Sequence, residues 1–133
     1  MPKTYHSSSA AETQKIAAEF VKTIRPGNWI GLYGGLGAGK TVFVKGMAEG
    51  FGIDSRHYVN SPTFTLVNDY GPLLHVDLYR LDKPEEVEGL GLEEFDGKII
   101  VVEWAEKLPA AVQLDFRVKI TDIGAKERRI AIV

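Results

Sequence analysis

Eight consecutive residues constrain this chain more than any others. Gly34-Gly35-Leu36-Gly37-Ala38-Gly39-Lys40-Thr41 satisfies G-x-x-x-x-G-K-[ST], and the preceding run Ile30-Gly31-Leu32-Tyr33 has the apolar character of a buried strand. Glycines let a backbone turn tightly around a phosphate chain, so that successive N–H groups point at anionic oxygens. Lys40 adds a mobile positive charge for β- and γ-phosphates, and the Thr41 hydroxyl is able to ligate Mg²⁺. A helix starting there contributes the partial positive charge of its N-terminus. Strand, glycine loop and helix in that order are the P-loop arrangement, and they predict a site for a nucleoside triphosphate.

The rest of the composition sets bounds on that site. At 133 residues the chain is expected to form a single domain, 1–133, with a real core. It has no cysteine, which excludes disulfides, a thiol nucleophile and a cysteine-based zinc centre. Residues 1–9 lack the apolar core of a signal peptide, and no run approaches the ~18 apolar residues of a membrane span. A cytoplasmic protein with no membrane partner is the expectation. The formal charge is −2, from 16 Lys+Arg against 18 Asp+Glu, and only Lys126, Arg128 and Arg129 lie close together among the basic residues. Gripping nucleic acid alone needs a clustered basic surface, so a role near RNA would run through a partner protein.

Taken in order, Ser9-Ala10-Ala11-Glu12 reads as a capping box opening a helix with Ile16, Ala17, Phe20, Val21 and Ile24 on one face. Pro26-Gly27 stops it, Trp29 to Tyr33 forms the first core strand, and a second helix runs from Lys40 to the Gly50/Gly52 break. Tyr58 to Thr63 reads as a loop. Phe64 to Tyr70 and Leu73 to Tyr79 read as antiparallel strands around Gly71-Pro72, and Pro84 opens a short acidic helix through Glu88. Ile99 to Val102 is near-continuously apolar, as in a parallel sheet buried on both faces, and ends on Glu103. Asp115 to Thr121 and Glu127 to Val133 alternate and read as a hairpin closing the sheet edge. The class expected is α/β, with a mixed central sheet.

A P-loop needs a magnesium ligand beyond Thr41 and a group to orient water. Four apolar residues followed by an acid at a strand's C-terminal end, as at Glu103, is the Walker B arrangement, and ligands of open α/β sheets gather at those ends. Asp77 is the second candidate. Among apolar strand residues its carboxylate calls for a cation or a hydrogen-bond partner, Arg80 or a lysine being the structural alternative. His75 shares a strand face with Asp77, and a structural hydrogen bond is the favoured role for it.

Four motifs, in order and at approximate spacing, resemble the TsaE (YjeE) family: Leu36-Gly37-Ala38-Gly39-Lys40-Thr41, Ser61-Pro62-Thr63-Phe64-Thr65-Leu66, His75-Val76-Asp77-Leu78-Tyr79-Arg80-Leu81 and Val102-Glu103-Trp104. The resemblance spans essentially the whole chain. It implies a three-layer α/β P-loop NTPase fold and an ATPase requiring Mg²⁺, active in forming threonylcarbamoyladenosine beside the tRNA anticodon. The implied partners are TsaB and TsaD, with tRNA met only through that complex. By the same resemblance Gly35, Gly37, Ala38, Gly39, Lys40, Thr41 and Val42 bind nucleotide, with Thr13 near the base or ribose. Thr41 and Glu103 hold the metal, while Lys40, Asp77 and Glu103 serve catalysis. Ser61 and Thr63 match a switch-like loop, and Arg128 or Arg129 is placed near the site.

Two departures stand out. Val42 occupies a position where many relatives have a second threonine, and Gly35 one where many have an acid. Both bear on affinity or turnover rather than fold. A GTPase switch would need Asn-Lys-x-Asp and Asp-x-x-Gly, which are absent. A small-molecule kinase would need an acceptor pocket and an arginine-bearing lid, for which the chain has little room. A nucleotide-sensing module that holds ATP or ADP without significant hydrolysis is the alternative from another class, with Arg80 the one internal candidate for an arginine finger.

Overall fold

The computed structural model describes residues 2–35, 37–53, 67–95 and 97–133. The chain runs β1 (Lys3–Ser7), α1 (Ala10–Phe20), β2 (Trp29–Tyr33), α2 (Lys40–Gly50), β3 (Val67–Asp69), β4 (Leu73–Asp77), α3 (Pro84–Glu88), β5 (Ile99–Glu103), β6 (Phe116–Asp122) and β7 (Arg128–Ile132). Local chemistry sets several of these boundaries. Ser9 Oγ accepts the Glu12 amide at 3.1 Å, the forward half of the expected capping box, and so satisfies one orphan donor of α1. Pro84 sits at the first position of α3, where its missing N–H costs nothing.

Among the described residues, seven strands join one mixed sheet in the order β1-β7-β6-β2-β5-β4-β3. The centre is parallel: β2 lies between β5 and β6, and β5 pairs β4, each parallel. The flanks are antiparallel, β3 on β4 at one side and β7 on β6 with β1 on β7 at the other. The C-terminal hairpin therefore lies on one flank, as its alternation predicts, and the N-terminal strand adds outside it. Nothing in the residue pattern of Lys3 to Ser7 announced β1, because only Tyr5 and Ser7 turn inward along it. Its partners come from the far end of the chain.

Strand alternation divides the core in two. On one face Ile30, Leu32, Val101, Val118, Ile120 and Ile130 meet α1 and α2 through Ala17, Phe20, Phe43 and Met47. Phe20 packs at 5.9 Å on Phe43 and edge-on at 5.3 Å on Phe116, tying the first helix to both its neighbour and the sheet. On the other face Leu74, Val76, Ile100 and Val102 are covered by Leu78, Val87, Leu92 and Ala105. The strongly apolar β5 is buried at all five positions, which is why it reads as a continuous run rather than an alternating one. Among the described residues no helix is long and apolar enough to cross a membrane.

Candidate nucleotide site

Three of the parallel strands, β2, β5 and β4, end together, and their C-terminal ends carry the chemistry. Leu32 is in register with Glu103, and Glu103 with Asp77, so the glycine loop leaves β2 beside two adjacent carboxylate-bearing strand ends. Asp77 is the last residue of β4 and half-buried. The sequence placed it mid-strand; the strand stops there because the Asp77 carboxylate turns the chain, accepting the Tyr79 amide at 2.9 Å.

Backbone conformation explains two of the loop glycines. At Gly34 φ is +150°, and a Cβ would stand 2.6 Å from the Ile120 carbonyl on neighbouring β6. At Gly39 φ is +106°, the left-handed cap from which α2 starts, and the Phe43 amide bonds its carbonyl at 3.0 Å. Lys40 and Thr41 thus open α2, at the helix end whose free amides and dipole favour an anion. Gly35, Gly37 and Ala38 lie along the loop before them, and Val42 follows on the first turn.

Lys40 is buried, with its ammonium donating to the carbonyl of Gly34 and, at 3.4 Å, to that of Gly35. It also lies over the Trp104 indole, 4.0 Å from the ring centroid. Burial pushes its pKa below the usual lysine range, against the opposing pull of Glu103, Glu106 and Asp77. In this state the loop's own carbonyls and one aromatic ring hold the charge.

Glu103 is buried too. Its carboxylate lies 3.3 and 3.4 Å from the Thr41 hydroxyl, which bridges α2 and β5, and one oxygen meets His75 Nε2 at 2.5 Å. The expected hydrogen bond of His75 thus exists, although its partner is Glu103 on the adjacent strand. A hydroxyl facing a carboxylate is the hard-oxygen donor set that suits Mg²⁺. Among the described residues no group of three or more His, Cys, Asp or Glu is placed to hold a metal. These donors fit an ion that completes its shell with phosphate oxygens and water, as magnesium in nucleotide sites does.

Arg128 closes the other side. Its Nε donates to the Ala38 carbonyl at 2.9 Å and its Nη2 to that of Gly37 at 3.4 Å, while Nη1 reaches Asp122 at 3.3 Å. Of the two C-terminal arginines, this one meets the loop; Arg129 is exposed and pairs in register with His6. Thr13 is buried on α1, its hydroxyl 2.7 Å from Ser7 Oγ, an arrangement that fastens the helix to the end of β1. Arg80 is exposed in the turn after β4. Ser61 and Thr63 lie outside the described residues.

Trp104, part of the Val102-Glu103-Trp104 motif, has a chemical role that the motif alone does not assign. It is the one non-glycine residue with positive φ among those described, at φ 60° and ψ 45°, directly after Glu103. Such a conformation costs about 1–3 kcal/mol and is kept where the surroundings over-determine it. Its ring holds Lys40, packs at 5.1 Å on Tyr79, and with Tyr33, Arg117 and Lys119 lines a cleft of about 700 Å³ against Gly34 and Gly35. Positive φ leaves no trace in residue type here, so only the structure could reveal it.

Sequence and fold are both similar to those of known proteins. The family model described as "Threonylcarbamoyl adenosine biosynthesis protein TsaE" matches residues 7–130. The tRNA threonylcarbamoyladenosine biosynthesis protein TsaE of Bacillus subtilis is 44% identical over 129 residues, covering 90% of this chain and 77% of that protein. The protein of the same name from Aquifex aeolicus is 39% identical over 128 residues, covering 92% and 90%. The crystal structure of Bacillus subtilis YdiB superposes with a TM-score of 0.75 at 32% identity, covering 99% of this chain and 84% of that one. Glycine loop, strand-end carboxylates and sheet order together carry a P-loop NTPase-type fold, and the chain belongs to the TsaE family of tRNA threonylcarbamoyladenosine biosynthesis.

Proposed function

We propose that the chain binds ATP with Mg²⁺ at the Gly34–Thr41 loop and hydrolyses it, weakly when alone. It does so as the ATPase subunit that works with TsaB and TsaD in the cytoplasm, meeting tRNA only through that complex. The observation that carries this reading is the convergence of Lys40, Thr41, Asp77 and Glu103 where three parallel strands end and α2 begins. Lys40 exchanges the Gly34 and Gly35 carbonyls for β- and γ-phosphate oxygens, a stronger, charge-assisted pairing. The amides of Gly37 to Val42 take the remaining phosphate oxygens. Thr41 and Glu103 hold the magnesium ion, which when bound neutralises charge developing on the transferred phosphoryl group. In this reading Asp77 orients the attacking water, a role supported by its register with Glu103 one strand over.

Calorimetry and turnover test this directly. Lys40→Ala is expected to lose ATP binding, and Glu103→Ala to keep binding but lose hydrolysis in the presence of TsaB and TsaD. Unchanged ATP affinity in the first, or normal turnover in the second, contradicts the assignment. Binding without turnover in the unaltered protein under all conditions would favour a nucleotide-sensing module instead.

A further inference from the structure

The buried His75–Glu103 pair has no counterpart in the roles given above. His75 is on β4 opposite Val101, and Asp77 is opposite Glu103, so the imidazole reaches diagonally across one residue pair to the carboxylate. The two side chains are 2% and 4% exposed, and Nε2 stands 2.5 Å from Glu103 Oε2. A carboxylate so deprived of water is costly unless its lone pairs are satisfied. A carboxylate that is to receive a cation is ionised and only accepts, and in that form of the pair Nε2 is the donor. One acceptor site of Oε2 is thereby taken, and rotation of the carboxylate about its last torsion is fixed, with Thr41 at 3.3–3.4 Å from both oxygens.

We propose that His75 is the positioning residue of this site: its Nε2–H locks the Glu103 carboxylate against Thr41 before nucleotide arrives, presetting the oxygen that receives the divalent cation. This rests on the reading of Glu103 as a magnesium ligand. Partners that orient metal-ligating groups in this way are worth 10–100-fold in metal affinity. A histidine that merely filled the core would affect folding stability and leave the cation response untouched.

The test is ADP binding by calorimetry over a magnesium series, with EDTA as the zero point. His75→Leu is expected to raise the magnesium concentration for half-maximal effect about 10–100-fold, with ADP affinity in EDTA unchanged. His75→Gln, whose amide nitrogen falls near the Nε2 position, recovers most of the loss. The double variant His75→Leu/Glu103→Gln responds no worse than Glu103→Gln alone. In the ligand-free protein, nitrogen-15 spectra show His75 carrying its proton on Nε2, with that signal moved by Glu103→Gln. A wild-type magnesium midpoint in His75→Leu, no recovery in His75→Gln, or a proton on Nδ1 alone overturns the proposal. Should His75→Leu fail to fold, His75→Gln against His75→Asn decides, since the shorter amide falls short of Glu103. Equal midpoints for those two count against His75. Loss of any magnesium effect in the unaltered protein overturns the underlying site reading, and His75 with it.

Discussion

The ammonium of Lys40 rests 4.0 Å from the centroid of the Trp104 indole, and Trp104 directly follows Glu103 in a left-handed backbone conformation. The charge that would meet phosphate and the carboxylate that would meet magnesium are thus mechanically adjacent through one strained residue. When Lys40 leaves the ring for a phosphate, the electronic surroundings of that indole change. Nucleotide binding is therefore expected to alter intrinsic tryptophan fluorescence, and Trp104→Phe to remove the change while Trp29 remains. A signal that survives in Trp104→Phe would assign the response to Trp29.

Lys40 also carries a stability prediction. Burial lowers its pKa, so at neutral pH its charge disfavours the folded state. The sign follows from the direction of the shift: stability recovers as pH rises between the lowered folded value and the ordinary lysine value of about 10.4. Lys40→Met keeps the chain length and discards the charge. It is expected to stabilise the ligand-free protein at neutral pH, with the gain shrinking as pH rises toward about 10. Denaturant unfolding of both proteins across that range measures it.

Arg128 links the β6–β7 hairpin to the glycine loop through two carbonyls, Ala38 and Gly37. Charged hydrogen bonds of this kind are worth about 1.5–3 kcal/mol each, and here they hold a loop rather than a core. Arg128→Gln is expected to weaken nucleotide binding about tenfold with a smaller effect on thermal midpoint. Arg128→Lys should not restore it, because one ammonium lacks the planar fork that spans both acceptors. Titration calorimetry of the two variants separates these outcomes.

Much of this architecture is legible in residue order because each signal is local. The glycine loop, the apolar run ending in Glu103, the Pro84 helix start and the Gly71-Pro72 turn all depend on neighbours within a few residues. Their structural counterparts fall where those neighbours dictate. What escaped is non-local. β1 owes its existence to pairing with β7, whose residues lie more than a hundred positions away. His75 could be placed on one face with Asp77, but its true partner sits across a strand boundary that only the β4–β5 register supplies. Arg128 was narrowed from two candidates by the same kind of information, since the alternation along β7 turns one arginine to the loop and its neighbour away.

A magnesium-dependent ATPase site built from the loop, the two strand-end carboxylates and Thr41, serving a larger assembly as proposed, would turn over ATP in a way that depends on both cation and partner. The most direct measurement is phosphate release from ATP by this chain alone, with TsaB and TsaD, and with tRNA added, each in magnesium and in EDTA. Slow release alone, a clear increase with the partners, and none in EDTA or in Glu103→Ala are expected. Release that ignores magnesium, or its absence in every mixture despite tight ATP binding, would contradict it.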